Sequence, residues 1–598
     1  MKTAGEFLEN SKSKISSRAK TAFIACFVTG LITHMTVMVG DFPNHDGLAS
    51  LYFDQNMITS GRWFLGTACG ISSYFALPWL IGILSILYLS VSAAITAEVL
   101  ELKGKLSSAL VGAIMAAFPA LASTFAYVFT MDGYMLGLLF GILAVFVTKK
   151  FRFGWIAGAV LLAFSMGTYQ AYLPVVILLC MYAAVLRIAK CGGEGSSSKD
   201  TKKNSGTTGI EKGSRDSVKA KFFDVLHFLY MGVGGGALYF LILQVMLKIQ
   251  GKVLDTYQGI NTLDGTGSAA EAGADAAVNT ADAAANAAGA ASGGLLHKIA
   301  AMYRDFAAFT LKSEILAPNA FAWIAMGLLA LAAAVLLVRE IVRKKWYKSI
   351  WLYIIALLVT IVLPFASNII MIISSDITYH ALMRYQWVMF PVCLLGMIDA
   401  MTAGVSRTEN KDSIPKDSAI EDSGIEDNSA KTNKISAVST WIAFICATVL
   451  ILCYTVTDNI GYSNLQKKYE RTYAYCVRLL DRIEQTPGYY PGIPVAMIGV
   501  VSEDQYPKAD LTGGVTDNLI GLSGDYLLYK NSDYELFIKN YLGSSLNMIT
   551  GDEIARIYNS EEYILMDSFP AESSVKLVDG VIYVKTENID HNLRDNLN

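Results

Sequence analysis

The chain has 598 residues, 53% of them hydrophobic and 17% charged, with a mean hydropathy of +0.41 and a formal net charge of −3. A soluble domain of that composition would expose a large apolar surface, whereas a bilayer solvates it. The near-neutral balance carries no polyanion-binding bias, so nucleic acid is excluded as an expected partner.

Residues 1–20 are polar and basic (Lys12, Lys14, Arg18, Lys20) and read as a cytoplasmic N-terminus. The apolar run 21–39 ends without an A-x-A cleavage pattern, which makes it an uncleaved first span rather than a signal peptide. Further apolar runs begin near Phe75, Ser107, Gly133, Trp155, Tyr172, Phe222, Ala320, Ser349, Met383 and Ala437. Blocks of about twenty apolar residues match the bilayer, and together they predict about eleven spans within residues 21–456. With the N-terminus inside, the cytoplasmic segments hold about 29 Lys and Arg and the membrane-proximal outer loops about 6, the asymmetry expected of a plasma-membrane protein. Lys149-Lys150, Lys202-Lys203 and Arg343-Lys344-Lys345 supply much of the inner charge. An odd number of spans then places residues 457–598 outside.

Three connections interrupt the bundle. Segments 191–220 and 405–435 are rich in Ser, Lys, Asp and Glu and are predicted to be disordered cytoplasmic loops. The outer loop 249–318 contains an Ala-, Gly-, Asn- and Asp-rich linker at 266–294 that lacks an apolar stripe. Residues 457–598 change character. A helix is predicted over 462–483, a buried strand over 493–500, a helix over 534–541, and a hairpin over 575–584 turning at Asp579-Gly580. This gives a small extracytoplasmic α/β domain of about 140 residues, large enough for its own core. The fold class is therefore an α-helical polytopic membrane protein with a C-terminal α/β domain. The eight cysteines include no CxxC pair, so no zinc or dithiol site is expected. Cys69 and Cys476 are the two expected outside the membrane; they could pair, but leftover cysteines are more often free.

On this topology the polar residues collect on the outer face. The first outer loop holds Asp41, His45, Asp46, Asp54 and the run Ser60-Gly61-Arg62-Trp63. Asp132 lies at the outer end of the fourth span, and Tyr169-Gln170 at the outer turn between the fifth and sixth. The ninth and tenth spans are joined by a segment containing Asp376, His380 and Arg384. Singly, each has an ordinary explanation. Boundary carboxylates such as Asp41 or Asp54 are usually just solvated, Arg62 can snorkel to lipid phosphate, His380 suits a neutral structural histidine, and Tyr169 suits an interfacial belt. Asp132 is harder to explain, because a carboxylate at the bilayer edge costs up to about 3 kcal/mol unless paired or facing a polar cavity. It is the shared face that points to a site.

Sugar transfer from a lipid-phosphate donor fits this set. An acceptor hydroxyl needs a carboxylate to take its proton as the bond forms, worth about 10²–10⁴ in rate. The leaving lipid phosphate gains negative charge, which an arginine fork stabilises. Amide, tyrosine and histidine side chains can orient sugar hydroxyls. No dinucleotide-type glycine pattern is present.

At these residues the chain resembles the type II (Gtr-like) glucosyltransferases. His45-Asp46 followed sixteen residues later by Gly61-Arg62 is similar to that family's first-loop acidic pair and Gly-Arg signature. Tyr169-Gln170 resembles its Tyr-Gln at a span start, and the ending KLVDGVIYVK at 576–585 is similar to the terminal hairpin of Gram-positive members. The resemblance implies a GT-C architecture with an outer-face active site, a polyprenyl-phosphate-linked glucose donor, and no metal or other cofactor. Carried over by position, Asp46 becomes the general base, with Asp41 or Asp132 as a second carboxylate because His45 stands where relatives often have an acid. Arg62 and Arg384 become donor-phosphate contacts, and His45, Tyr169, Gln170 and His380 substrate contacts. The acceptor implied is a cell-surface glycan such as teichoic acid or wall polysaccharide. The donor must be made inside and flipped out, so a separate donor synthase and flippase are expected partners.

Two other classes compete. A transporter or flippase of lipid-linked sugar would carry inverted repeats and ionisable groups near the midplane, and neither is visible. A polymerase or ligase of lipid-linked glycans would need a larger catalytic outer loop than the Ala/Gly-rich 249–318.

Overall fold

The computed structural model describes residue 3 and residues 15–49, 57–70, 77–197, 210–254, 295–348, 350–373, 379–402, 423–499, 516, 518–522, 527–528 and 531–586. The Ala-rich linker 266–294, Asp54 and Asp376 lie outside these, as do 198–209 and 405–422; the other parts of the two segments predicted to be disordered, 191–197, 210–220 and 423–435, are helical.

Each predicted apolar run is helical. In chain order the helices are α1 Ser17–Val39, α2 Pro78–Val99, α3 Lys105–Ala117, α4 Pro119–Phe125, α5 Met131–Lys150, α6 Gly154–Thr168, α7 Leu173–Ser197 and α8 Ile210–Gln250. There follow α9 Leu295–Lys312, α10 Ala320–Arg343, α11 Ile350–Ser367, α12 Met389–Thr402 and α13 Ser423–Glu484. Among the described residues seven helices are long and apolar enough to cross a bilayer, or eight if α3 and α4 form one span bent by 47°. The remaining predicted spans fall on α6, α11 and α12, of 15, 18 and 14 residues. A straight crossing takes about 20, so the structure supports a membrane-embedded helical bundle without fixing the count at eleven.

The bend between α3 and α4 follows from Pro119. The residue before a proline is driven out of the α region, and Phe118 is extended at φ −69°, ψ 127°. This leaves Met115 and Ala116 carbonyls without helical partners, and side chains from other helices meet them. Tyr385 Oη donates to Met115 O at 2.8 Å, and a His34 ring nitrogen lies 2.9 Å from Ala116 O. The bundle is otherwise built by close pairing of α1 with α2 and α3, α5 with α6 and α2, α8 with α6, and α10 with α13. One continuous apolar core runs through it.

The last helix is longer than the sequence suggested. The predicted span from Ala437 and the predicted helix 462–483 are one 62-residue element, α13, about 90 Å at 1.5 Å per residue. Its end carries Tyr475, Leu479 and Ile483 into a second core. There it meets a four-stranded sheet of order β2-β1-β4-β3, formed by β1 Pro494–Ile498, β2 Asn547–Met548, β3 Val575–Val578 and β4 Val581–Lys585. β1 is parallel to β2 and β4, while β3 and β4 form the predicted hairpin. Asp579 and Gly580 have φ of 48° and 83°, the two positive values that a two-residue hairpin turn of type I′ requires. Cys69 and Cys476 are both buried and not joined in a disulfide: Cys69 lies beside Gly133 in the bundle, Cys476 in the second core.

Candidate active site

The first loop builds the site from local rules. Asn44 precedes a five-residue helix, His45–Ala49, and acts as its N-cap: Asn44 Oδ1 accepts from Gly47 N–H at 2.8 Å. The same side chain donates through Nδ2 to Ala126 O at 3.1 Å, fixing the helix to the end of α4. Asp46 therefore sits in a first helical turn, half-buried. The His45 side chain lies outside the description.

The Gly-Arg pair is a consequence of turn geometry. Gly61 N–H donates to Ile58 O at 2.9 Å and Arg62 N–H to Met57 O at 2.7 Å. This is the pattern of a Schellman loop, in which glycine occupies the left-handed position, and Gly61 has φ 80°. The turn throws the Arg62 side chain onto the α5 residue Tyr134, to whose hydroxyl Nη1 donates at 3.2 Å, while Nε donates to Ser60 Oγ at 2.8 Å. Burial acts to lower the pKa of the guanidinium, but Tyr134, Tyr169 and the Asp46 carboxylate around it outweigh that and raise it. Asp46 thus lies within electrostatic reach of Arg62, the two coming from opposite ends of the loop.

Tyr169 packs obliquely on Tyr134, ring centroids 4.7 Å apart, and edge-on against Tyr172 at 5.4 Å. Gln170, expected as a sugar contact, is hydrogen-bonded to the loop. Its Nε2 donates to Ser60 O at 3.0 Å and to Tyr239 Oη at 2.9 Å, and Tyr239 Oη donates to Gly61 O at 3.0 Å. Both donors of the amide are spent holding the turn that aims Arg62. Trp63 completes the anchorage. Its ring lies so close to Gly167 of α6 that a Cβ there would come within 2.4 Å of it, and Phe64 N–H donates to Gly167 O at 2.7 Å.

The other two candidate carboxylates have neighbours of their own. Asp132 is buried in the first turn of α5; its Oδ1 accepts from Gly133 N–H at 2.8 Å, and it hydrogen-bonds the Cys69 thiol. Asp41 is exposed and acts on Tyr469 and Tyr541 of the C-terminal region.

Arg384, expected as a donor-phosphate contact, lies in a cluster of its own. Its fork is filled by Asp305 of α9, Nη1 and Nη2 each 2.8 Å from a carboxylate oxygen, and Nε donates to Tyr379 O at 3.1 Å. The guanidinium also lies over the Tyr379 and Phe309 rings, at 3.9 and 4.6 Å. A bidentate carboxylate already occupies the geometry a phosphate would use. Beside it, burial and the Arg384 charge lower His380 to a pKa of about 4, so this histidine is neutral at pH 7. The segment Tyr385–Val388 packs on Gln170–Tyr172, so this cluster buttresses the first.

Asn44, Tyr134, Tyr239 and Asp305 were not predicted. Asn44 carried a signal, an N-cap residue directly before His45-Asp46. The others lie far from their partners in sequence and carried none.

The glucosyl transferase GtrII family model matches residues 35–394, more than half of the chain. The chain belongs to that family. No curated protein and no solved structure matches it. The matched stretch contains the Asp46 helix, the Gly61-Arg62 turn, Tyr134, Tyr169-Gln170, Tyr239 and Arg384, so the candidate site lies within the region that the family model matches. Among the described residues no three His, Cys, Asp or Glu gather as a metal set.

Proposed function

We propose that this glucosyltransferase moves glucose from a polyprenyl-phosphate donor to a cell-surface glycan on the outer face of the plasma membrane, with the N-terminus cytoplasmic and the C-terminal region outside. The observation that carries this is that Asp46 lies within electrostatic reach of Arg62. A carboxylate that removes an acceptor proton and a guanidinium that meets a leaving lipid phosphate need to lie on one rim, and here one loop delivers both. Asp46 is the general base; its helix is anchored at Asn44 but its own side chain is half-exposed, within reach of an acceptor. Arg62 binds the donor phosphate through the guanidinium N–H groups that Ser60 and Tyr134 leave open. Tyr134 and Tyr169 are buried and back the Arg62 guanidinium, Tyr134 through its hydroxyl. Gln170 acts as a positioning residue, and Arg384 with Asp305 as a structural pair.

Donor synthesis and flipping fall to separate proteins, and the Gram-positive style of the ending favours teichoic acid or wall polysaccharide as acceptor. Sealed vesicles test the sidedness. Radiolabelled polyprenyl-phosphate glucose and acceptor supplied to right-side-out vesicles should give labelled glycan, and inverted vesicles should give none. Transfer by inverted vesicles alone would overturn the orientation, and transfer only from another hexose donor would overturn the sugar.

A further inference from the structure

The helix that carries Asp46 is too short to hold itself. Isolated helices below about 12 residues are marginal in water because nucleation costs more than a few hydrogen bonds return, and this one has five. Its order must come from what it touches. On the bundle side it has the Asn44 link to Ala126. On the other side Leu48, 1% exposed, is buried in the C-terminal core with Tyr475 and Leu479 of α13 and Tyr534, Phe537 and Ile538 of the segment Asn531–Leu542. Among the described residues Leu48 is the one member of that core from outside 469–584. The strand of chain just before it is held in the same way. The Phe42 ring lies 5.7 Å from that of Tyr469, and Tyr469 and Tyr541 both feel the charge of Asp41.

We propose that the C-terminal α/β region is a positioning element for glucosyl transfer, holding the Asp46 helix at the donor through Leu48. The inference rests on the reading of Asp46 as general base. It gives the region outside the family match a catalytic purpose: residues 35–394 supply the chemistry, and the end of the chain sets where the base stands. Leu48 and Phe42 are positioning residues, since they act through Asp46. Because a displacement of about 1 Å can cost about 100-fold in rate, a loosened helix should slow turnover while donor binding at Arg62 persists.

The test uses full-length enzyme in lipid nanodiscs. Leu48→Ala should raise amide hydrogen exchange across residues 43–49 and lower kcat about 10- to 100-fold, with the donor KM near that of the wild type. Leu48→Met, similar in volume, should restore both. Ile582→Ala thins the same core from β4 and should lower the melting temperature while kcat per folded molecule stays near wild type. The inference is overturned if Leu48→Ala leaves exchange in 43–49 unchanged, or if Ile582→Ala slows the folded enzyme as much as Leu48→Ala does. Faster exchange with unchanged kcat would also overturn it. In that case an Asp46→Asn variant that is itself active would lay the failure on the base assignment, and an inactive one on the clamp.

Discussion

Tyr239→Phe isolates the device that aims Arg62. The hydroxyl donates to Gly61 O and accepts from Gln170 Nε2, and Tyr239 is fully buried. Removing it leaves one carbonyl and one amide hydrogen unmet, and an unsatisfied buried group costs about 1–3 kcal/mol. Gln170 still reaches Ser60 O, so the turn keeps part of its anchorage. A net cost of about 2 kcal/mol is reasonable, and at 1.4 kcal/mol per factor of ten it corresponds to a fall of about 30-fold in the held turn. Initial rates of label transfer at subsaturating polyprenyl-phosphate glucose should fall by that order, with only a small drop in melting temperature. The decisive form is a double-mutant cycle with Arg62→Ala. If Tyr239 acts through Arg62, adding Tyr239→Phe to Arg62→Ala should cost almost nothing further. Fully multiplicative losses would refute the idea that the hydroxyl works by placing the guanidinium.

Gly167→Ala should force Trp63 from its seat, since the new Cβ would stand 2.4 Å from the ring; a stability loss of about 1–3 kcal/mol and slower transfer are expected, measured by thermal denaturation and initial rates. Asp305→Ala strands Arg384, whose side chain is 11% exposed, and should destabilise the protein by about 3 kcal/mol, the lower range for breaking a buried pair; denaturant titration would show it. His380 has a folded pKa near 4, below its ordinary 6.5. The unfolded chain therefore takes up a proton first, so stability is lost as pH falls from about 6.5 toward 4 and is unaffected above. His380→Asn should flatten that stretch of the melting temperature against pH profile.

What the sequence disclosed divides along the range of the interactions. Apolar run length located the helices, and the Asp579-Gly580 pair located the hairpin, because both are dictated by adjacent residues. The glycine turn before Arg62 is local in the same way, being closed by hydrogen bonds within residues 57–62. The continuity of α13 was not legible. The change from lipid-like to water-like composition near Asp458 looks like a boundary, yet a helix crosses it freely because its backbone hydrogen bonds are internal. Nor were the partners of the motifs. Tyr239 meets Gly61 across 178 residues and Asp305 meets Arg384 across 79, and no local pattern announces either. The hydrogen bonds that Arg384 makes to Asp305 and Gln170 makes to Ser60 and Tyr239 were equally hidden, since a side chain's spare hydrogen-bonding capacity is known only once its neighbours are. The exception was readable and missed: Asn44 before His45-Asp46-Gly47 is a helix start.

The central claim is that Asp46 takes the acceptor's proton, and Asp46→Asn tests it most directly. Purified wild type and variant would be given radiolabelled polyprenyl-phosphate glucose and acceptor, with donor binding measured alongside. Loss of turnover by about 10²–10⁴, with donor affinity and melting temperature retained, is the predicted result; turnover at the wild-type rate would contradict it and remove the carboxylate from the reaction.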